Sequence, residues 1–390
     1  MHPEQLTNAL AQLSHQQLRR TAHCVESVQG THLTLHGTPH LAFASNDYLG
    51  LAANPALVTA LQQGAAQWGV GGGSAHLVCG HMTPHHVLEQ QLAAWIEHPA
   101  ALLFSDGYLA SLGAIPALVG RNDAVFVDRL VHASINDACV LSRARLRRFR
   151  HNDLDHLASL LANTPAHSRL IAVDAVYSMD GDEAPLADLL ALAERYQAWL
   201  YVDDAHGFGV LGQGRGSLAE QGLTHTPRLI YMATLGKAAG VSGAFIAGSP
   251  ELIDWLINRA HSYIYTTSSS PALACALHRS LDLIAQSAAQ RAHLAALIQH
   301  FRAGMQSLPW PLTPSRTPIQ ALIVGSSADA LVLSAALAEQ HIWVPAIRPP
   351  TVPHGQARLR VSFSAQHTFA EVDVLINALR QLGSPCINQG

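Results

Sequence analysis

No run of apolar residues in this chain approaches the roughly 18 to 20 that a membrane span needs, although 49% of its 390 residues are apolar. The opening Met1-His2-Pro3-Glu4-Gln5 lacks the basic start and apolar centre of a secretory signal. A soluble, cytoplasmic protein is therefore expected. There is no C-x-x-C pair, and the five cysteines, Cys24, Cys79, Cys139, Cys275 and Cys386, are odd in number and far apart. That pattern excludes a disulfide frame or zinc ribbon and predicts reduced, buried thiols.

Positive charge is not in excess either. The net charge is -4, which argues against a nucleic-acid surface. The one basic cluster, Arg143 to Arg150, alternates with apolar residues and reads as a strand or helix end with one solvated face. Internal repeats, low-complexity tracts and long linkers are missing too. At this length one core is too small, so two domains, or one large domain with appendages, are expected.

What the chain does have is histidine, 24 of them, so its surface charge should shift on mild acidification. His81, His85 and His86 cluster like metal ligands. Pro84 is expected to disturb any helix that would align positions 81 and 85, so a structural or substrate-side role is favoured and no metal is expected.

Residues 3–20 carry a helical pattern, and residues 31–43 alternate around Gly37-Thr38-Pro39 like a hairpin. From about residue 55 to 290, strand-like runs alternate with helical segments. The runs are Ala101 to Phe104, Ala124 to Val127, Leu170 to Val173, Trp199 to Val202, Leu229 to Met232 and Ala244 to Ala247. Such alternation predicts an α/β fold with a mostly parallel sheet and ligands gathered at its strand ends. A long helical stretch over 272–306 precedes a compact α+β unit. Its predicted elements are strands at Ile319 to Val324, Ile342 to Val344 and Arg358 to Phe363, and helices over 329–340 and 368–382. The expected division is an N-terminal arm (1–54), a large domain (55–290) and a small C-terminal domain (291–390).

The chemistry concentrates at the strand ends. Lys237 follows the Leu229 to Met232 run, and Asp203 and His206 follow Leu200-Tyr201-Val202. A lysine at the mouth of a sheet, beside an acid and a histidine, is what an enzyme needs to carry an aldehyde cofactor as a Schiff base. Asp203 would keep a heteroaromatic nitrogen protonated by ion pairing, and His206 could donate to a phenolic oxygen. Gly107 and Tyr108 open a helix after a strand, where their amides could seat a phosphate. Asp106 would repel that phosphate unless its side chain turns away to cap the helix. Thr234 could add a hydroxyl to the same phosphate, and His132, after the Ala124 to Val127 run, could stack on a flat ring. Gly207-Phe208-Gly209-Val210-Leu211-Gly212 matches G-x-G-x-x-G, but its glycine-rich continuation cannot open the helix a dinucleotide fingerprint requires. It is read as a loop, which leaves a dinucleotide-dependent oxidoreductase without support.

With these residues in hand, the chain resembles the pyridoxal-phosphate-dependent α-oxoamine synthases, on the fold shared with aspartate aminotransferase. The likeness runs through Ser45-Asn46-Asp47-Tyr48-Leu49-Gly50-Leu51, Gly69-Val70-Gly71-Gly72-Gly73-Ser74, His132-Ala133-Ser134 and Tyr177-Ser178-Met179-Asp180-Gly181-Asp182. It continues through Asp203-Asp204-Ala205-His206-Gly207, Thr234-Leu235-Gly236-Lys237 and Arg358-Leu359-Arg360. Ala346-Ile347-Arg348-Pro349-Pro350-Thr351-Val352-Pro353 resembles the branch that joins L-alanine to a pimeloyl thioester, on acyl carrier protein or coenzyme A. The alternative is a sister branch that condenses glycine with a short acyl-CoA.

The resemblance implies a fold type I transferase that uses pyridoxal 5'-phosphate. Lys237 would be the Schiff-base lysine, with Asp203 on the ring nitrogen, His206 near the ring hydroxyl and His132 stacked on the ring. Ser178 would join the cofactor's hydrogen-bond network, and Gly107, Tyr108 and Thr234 would hold the phosphate. Arg360 would take the amino-acid carboxylate, with Arg20, Asn46, His132 and Thr351 on the substrate side. It also implies a homodimer with shared sites, in which Thr266 or Thr267 reaches the partner's phosphate. Two residues depart from the family pattern. Asp174 stands where a glutamate is usual, so any contact it makes should need a shift or a water, and Asp106 replaces a small uncharged residue.

Overall fold

The computed structural model describes residues 2–383. Cys386, and the end of the expected small domain, lie outside them. The chain forms two compact units, Leu49–Ser178 with Glu183–Arg291, and Met1–Tyr48 with Met179–Asp182 and Ala292–Gly390. The N-terminal segment thus belongs to the same unit as the C-terminal one.

The first unit is built on a seven-stranded sheet. Its spatial order is Ala100–Phe104, Ala244–Gly248, Leu229–Thr234, Trp199–Asp203, Arg169–Asp174, Ala124–Asp128 and Arg145–Phe149. The last five run parallel, while Ala244–Gly248 is antiparallel to both neighbours. The inner strands are nearly continuous runs of buried apolar residues, as a sheet covered on both faces requires. Leu102, Val125, Val127, Leu170, Tyr201, Ile230 and Ile246 form one core with Ala110, Ala114 and Ile115 of the helix Gly107–Leu118. The basic cluster is the edge strand. Arg145, Arg147 and Arg148 are exposed there and Phe149 is buried, so charge guards the open edge.

Register fixes the floor of the site. Asp174 and Asp203 are direct partners at the carboxyl ends of adjacent parallel strands, and Met232 is the partner of Asp203 on the next. The strands end there because polar side chains and turns take over from the apolar run. Past Asp203 the residues 205–210 form turns, followed by a short 3-10 segment, Gly212–Gly214, and a single helical turn, Ser217–Glu220. Gly209, Gly212, Gly214 and Gly216 all have positive φ, so this glycine-rich stretch is a loop and opens no dinucleotide helix.

The predicted long helix over 272–306 is two helices, Pro271–Gln286 and Ala288–Met305. They part at Ser287, whose hydroxyl donates to Leu283 O at 2.6 Å, a side-chain bond that competes with the helical ladder. As Pro84 led one to expect, no helix carries both His81 and His85. The proline occupies the first turn of Thr83–Trp95, where its missing N–H costs nothing.

In the second unit, Ile319–Gly325, Ala357–Ser362 and Ala346–Ile347 make a small antiparallel sheet. The hairpin His32–Leu35 and Thr38–Ala42 gains a parallel third strand, Ile342–Trp343. The predicted strand at Ile342 to Val344 therefore pairs with the hairpin and not with the small sheet. The first helix, Pro3–His15, buries none of its residues.

The expectation of buried thiols is corrected in part. Cys139 is buried and Cys275 half-buried, but Cys24 and Cys79 are exposed, because each sits in a surface segment outside the apolar runs. All four are unpaired. Among the described residues no helix is long and apolar enough to cross a membrane.

Candidate active site

The ends of the parallel strands line one cleft. Its walls include Gly107, Tyr108, His132, Ser178, Asp203, His206, Thr234 and Lys237, together with Ser134, Asp174, Ala205 and Met232. Every residue that the sequence placed around a cofactor therefore opens onto the same space. Lys237 is also the only lysine in the whole sequence, which leaves no other side chain able to form an imine here.

Lys237 follows the strand Leu229–Thr234, and its Nζ lies 2.8 Å from His206 Nε2. An ammonium has only donors, so the His206 Nε2 carries the lone pair in this contact. Asp203 is 5% exposed, and one of its oxygens accepts the Ala205 amide at 3.0 Å. Burial raises its carboxyl above the ordinary value, against the opposing pull of the Lys237 charge, the Ala205 amide and His132. A cationic ring nitrogen placed there would relieve that desolvation. Burial lowers the His132 imidazole, so its ring is the neutral form near pH 7.

Asp174 reaches its partner directly. Its Oδ1 accepts the His132 amide at 3.0 Å, a direct bond that needs no bridging water despite the short side chain. Register explains the reach, since Asp174 ends the strand beside Asp203 and lies next to the turn into the helix Ala133–Ser142. His132 Nδ1 is 2.8 Å from Ser134 Oγ, so the ring is held at both its backbone and its edge. Burial and the neighbouring Asp203 charge push the Asp174 carboxyl well above the ordinary range. Asp174 was the residue missed as a holder of His132. It ends an apolar run in the same way as Asp203, and that parallel was the available signal.

Asp106 resolves its own conflict. It is the N-cap of Gly107–Leu118 and accepts the Leu109 amide at 2.8 Å. The Gly107 and Tyr108 amides start the helix, where no intrahelical acceptor exists. A Cβ on Gly107 would lie 3.9 Å from Thr234 Cβ, so helix start and hydroxyl are neighbours. The Thr234 hydroxyl donates to Gly243 O at 3.1 Å, and Tyr108 OH donates to Asp137 Oδ2. A phosphate suits this corner, an aldehyde suits the amine, and a protonated pyridine suits Asp203. The donor set fits pyridoxal phosphate.

The substrate-side candidates other than His132 lie in the second unit. Both terminal nitrogens of Arg360 donate to Asn46 Oδ1 at 3.2 Å, and one also reaches Ser362 Oγ at 2.7 Å. Arg360 is 6% exposed. Arg20 donates to Thr351 Oγ1 at 2.7 Å. The four thus form two bonded pairs. Thr267 is exposed and pairs through its backbone with Ala75, and Thr266 is half-buried.

The profile of aminotransferase class I and II matches residues 38–379. The chain belongs to that family. It is 55% identical to the 8-amino-7-oxononanoate synthase of Chromobacterium violaceum, across 97% of this chain and 98% of that one. The protein of the same description from Herminiimonas arsenicoxydans is 56% identical, at 97% and 98% coverage. Among solved structures, serine palmitoyltransferase from S. paucimobilis with bound PLP–myriocin aldimine superposes with a TM-score of 0.91 and 27% identity, covering 97% of each chain. The 8-amino-7-oxononanoate synthase of Francisella tularensis superposes at 0.77 with 29% identity, over 88% of this chain and 97% of that one. The fold is accordingly that of the pyridoxal-phosphate-dependent aminotransferases.

Proposed function

We propose that this chain is an 8-amino-7-oxononanoate synthase, which condenses L-alanine with a pimeloyl thioester and releases carbon dioxide and the free thiol carrier. This is a step of biotin synthesis. The observation that carries the reading is the single lysine beside Asp203, His206 and His132 in one cleft, in a chain more than half identical to synthases of that description.

When bound, pyridoxal phosphate supplies an aldehyde for the amine and a cationic ring that takes up the electron pair left at the alanine Cα. Lys237 would hold the cofactor through its amine, and the same Nζ, when free, would take the alanine Cα proton. Asp203 keeps the ring nitrogen protonated, and His206 Nε2 accepts from Lys237 while that side chain is charged. His132, fixed by Asp174 and Ser134, presents a neutral ring face for stacking. Gly107, Tyr108 and Thr234 hold the phosphate, and Ser178 contributes to the hydrogen-bond set. Arg360 takes the alanine carboxylate in a bidentate pair, with Arg20, Asn46 and Thr351 on the substrate side. The enzyme works in the cytoplasm as a homodimer, with Thr266 or Thr267 of one copy at the phosphate of the other.

Mass spectrometry of products from the cofactor-loaded protein with L-alanine and pimeloyl thioesters of coenzyme A and acyl carrier protein tests this. The expected product is 8-amino-7-oxononanoate from at least one carrier. Turnover only of glycine with a short acyl-CoA would instead make it a sister acyltransferase.

A further inference from the structure

The three residues His81, His86 and Glu89 share no member with the cleft, yet each offers a metal-ligating atom, and these atoms all lie within 4.8 Å of one another. His81 lies two residues before the helix Thr83–Trp95, and His86 and Glu89 stand about one turn apart on it. His81 Nε2 is 3.8 Å from Glu89 Oε2. Zinc bonds of about 2.1 Å place tetrahedral ligand atoms about 3.5 Å apart, so a small movement of the exposed His86 side chain closes the set.

The surroundings already orient two of these groups. His76 Nδ1 lies 3.1 Å from His81 Nδ1, which occupies that nitrogen and leaves Nε2 toward Glu89. A bond of this kind to the second ring nitrogen fixes the tautomer of a ligating histidine. Glu89 Oε1 accepts the Leu103 amide at 3.0 Å, so Oε2 is left for the histidines. The Glu89 side chain is only 12% exposed, and among the described residues no lysine or arginine forms an ion pair with it. A carboxylate drawn out of water without a cation is costly. His85, by contrast, is spent on structure. Its Nδ1 accepts the Met82 amide at 3.1 Å and its Nε2 faces Ser269 O at 2.9 Å. Pro84 starts the helix that carries His86 and Glu89, so the proline that argued against metal in the sequence helps to assemble the cluster.

We infer that His81, His86 and Glu89 form a zinc site, with water as the fourth ligand. Two imidazoles and one carboxylate suit a borderline divalent ion, and three protein ligands leave one position open. The site is independent of the cleft and of the reaction proposed for it.

The test uses the cofactor-loaded protein, stripped with EDTA and dialysed against zinc, with metal counted by mass spectrometry and cobalt(II) as the spectroscopic probe. One zinc per chain and an intense tetrahedral cobalt band, bleached by zinc, are expected. His86→Gln changes an exposed side chain and should keep the fold and the cofactor absorbance while weakening zinc binding roughly ten- to a hundredfold or more. Glu89→Gln should do the same. An unchanged cobalt band and stoichiometry in both variants would place the metal on other histidines and overturn the inference. Absence of zinc binding at micromolar concentration in the wild-type protein would overturn it equally.

Discussion

Lys237 Nζ and His206 Nε2 sit 2.8 Å apart, joining the sole lysine of the chain to the histidine that follows the neighbouring strand. Because no second ε-amine exists, the imine proposed with an aldehyde has a single side chain open to it. Replacing Lys237 with alanine should abolish both turnover and the internal-imine absorbance. Borohydride reduction of the wild-type protein should put one pyridoxyl group on one peptide. A reduced adduct that persists in the variant would contradict the assignment.

Asp203→Ala removes the buried carboxylate proposed to pair with the ring cation. Loss of a preorganised charge in a water-poor site commonly costs about 10²- to 10³-fold in rate. Alanine α-proton exchange, followed by NMR in deuterated buffer, should slow by that order while some cofactor stays bound. Exchange at the wild-type rate would remove Asp203 from its role.

Asp106→Asn keeps an N-cap, since asparagine caps as well as aspartate, and deletes one negative charge at the proposed phosphate end. The expected result is cofactor binding tightened roughly two- to fivefold, the size of a helix-terminus charge effect, measured by absorbance titration of the stripped protein. Weaker binding would mean that the carboxylate assists the phosphate.

His367 predicts an acid-sensitive element. Its Nε2 faces Ala42 O at 3.1 Å, its Nδ1 accepts the Ser364 amide at 3.0 Å, and its ring stacks on Phe43 at 4.4 Å. Burial is the largest influence and holds the imidazole below its ordinary 6.5. The folded state therefore binds fewer protons than the unfolded chain below that pH, and stability falls as pH drops through this window. Protonation would also put a hydrogen where the Ser364 amide now donates. Melting temperature against pH should fall less steeply below 6.5 in His367→Gln than in the wild type. Parallel curves would refute this.

The sheet was legible because each inner parallel strand is a short, mostly apolar run closed by a polar residue, as in Trp199–Asp203 and Leu229–Thr234. The edge strand Arg145–Phe149 was ambiguous, since one solvated face suits a strand or a helix end equally. Pairing between Ile342–Trp343 and Thr38–Ala42 links positions about 300 residues apart and leaves no local trace. The bond between Asp174 and the His132 amide depends on the register of two adjacent strands, which periodicity does not report. Pro84 was legible as a boundary, since a proline is welcome in a first turn but not in a helix interior, and the helix that carries His85 begins at Thr83 and leaves His81 outside. The single lysine needed only counting.

That scarcity reaches beyond the chemistry. Reagents that seek primary amines, such as succinimidyl esters, find only the chain terminus and the cleft, so labelling doubles as an occupancy assay. Trypsin likewise cuts after lysine at one bond alone, Lys237–Ala238, and reduction of the bound vitamin onto that side chain should erase a single peptide boundary from the digest.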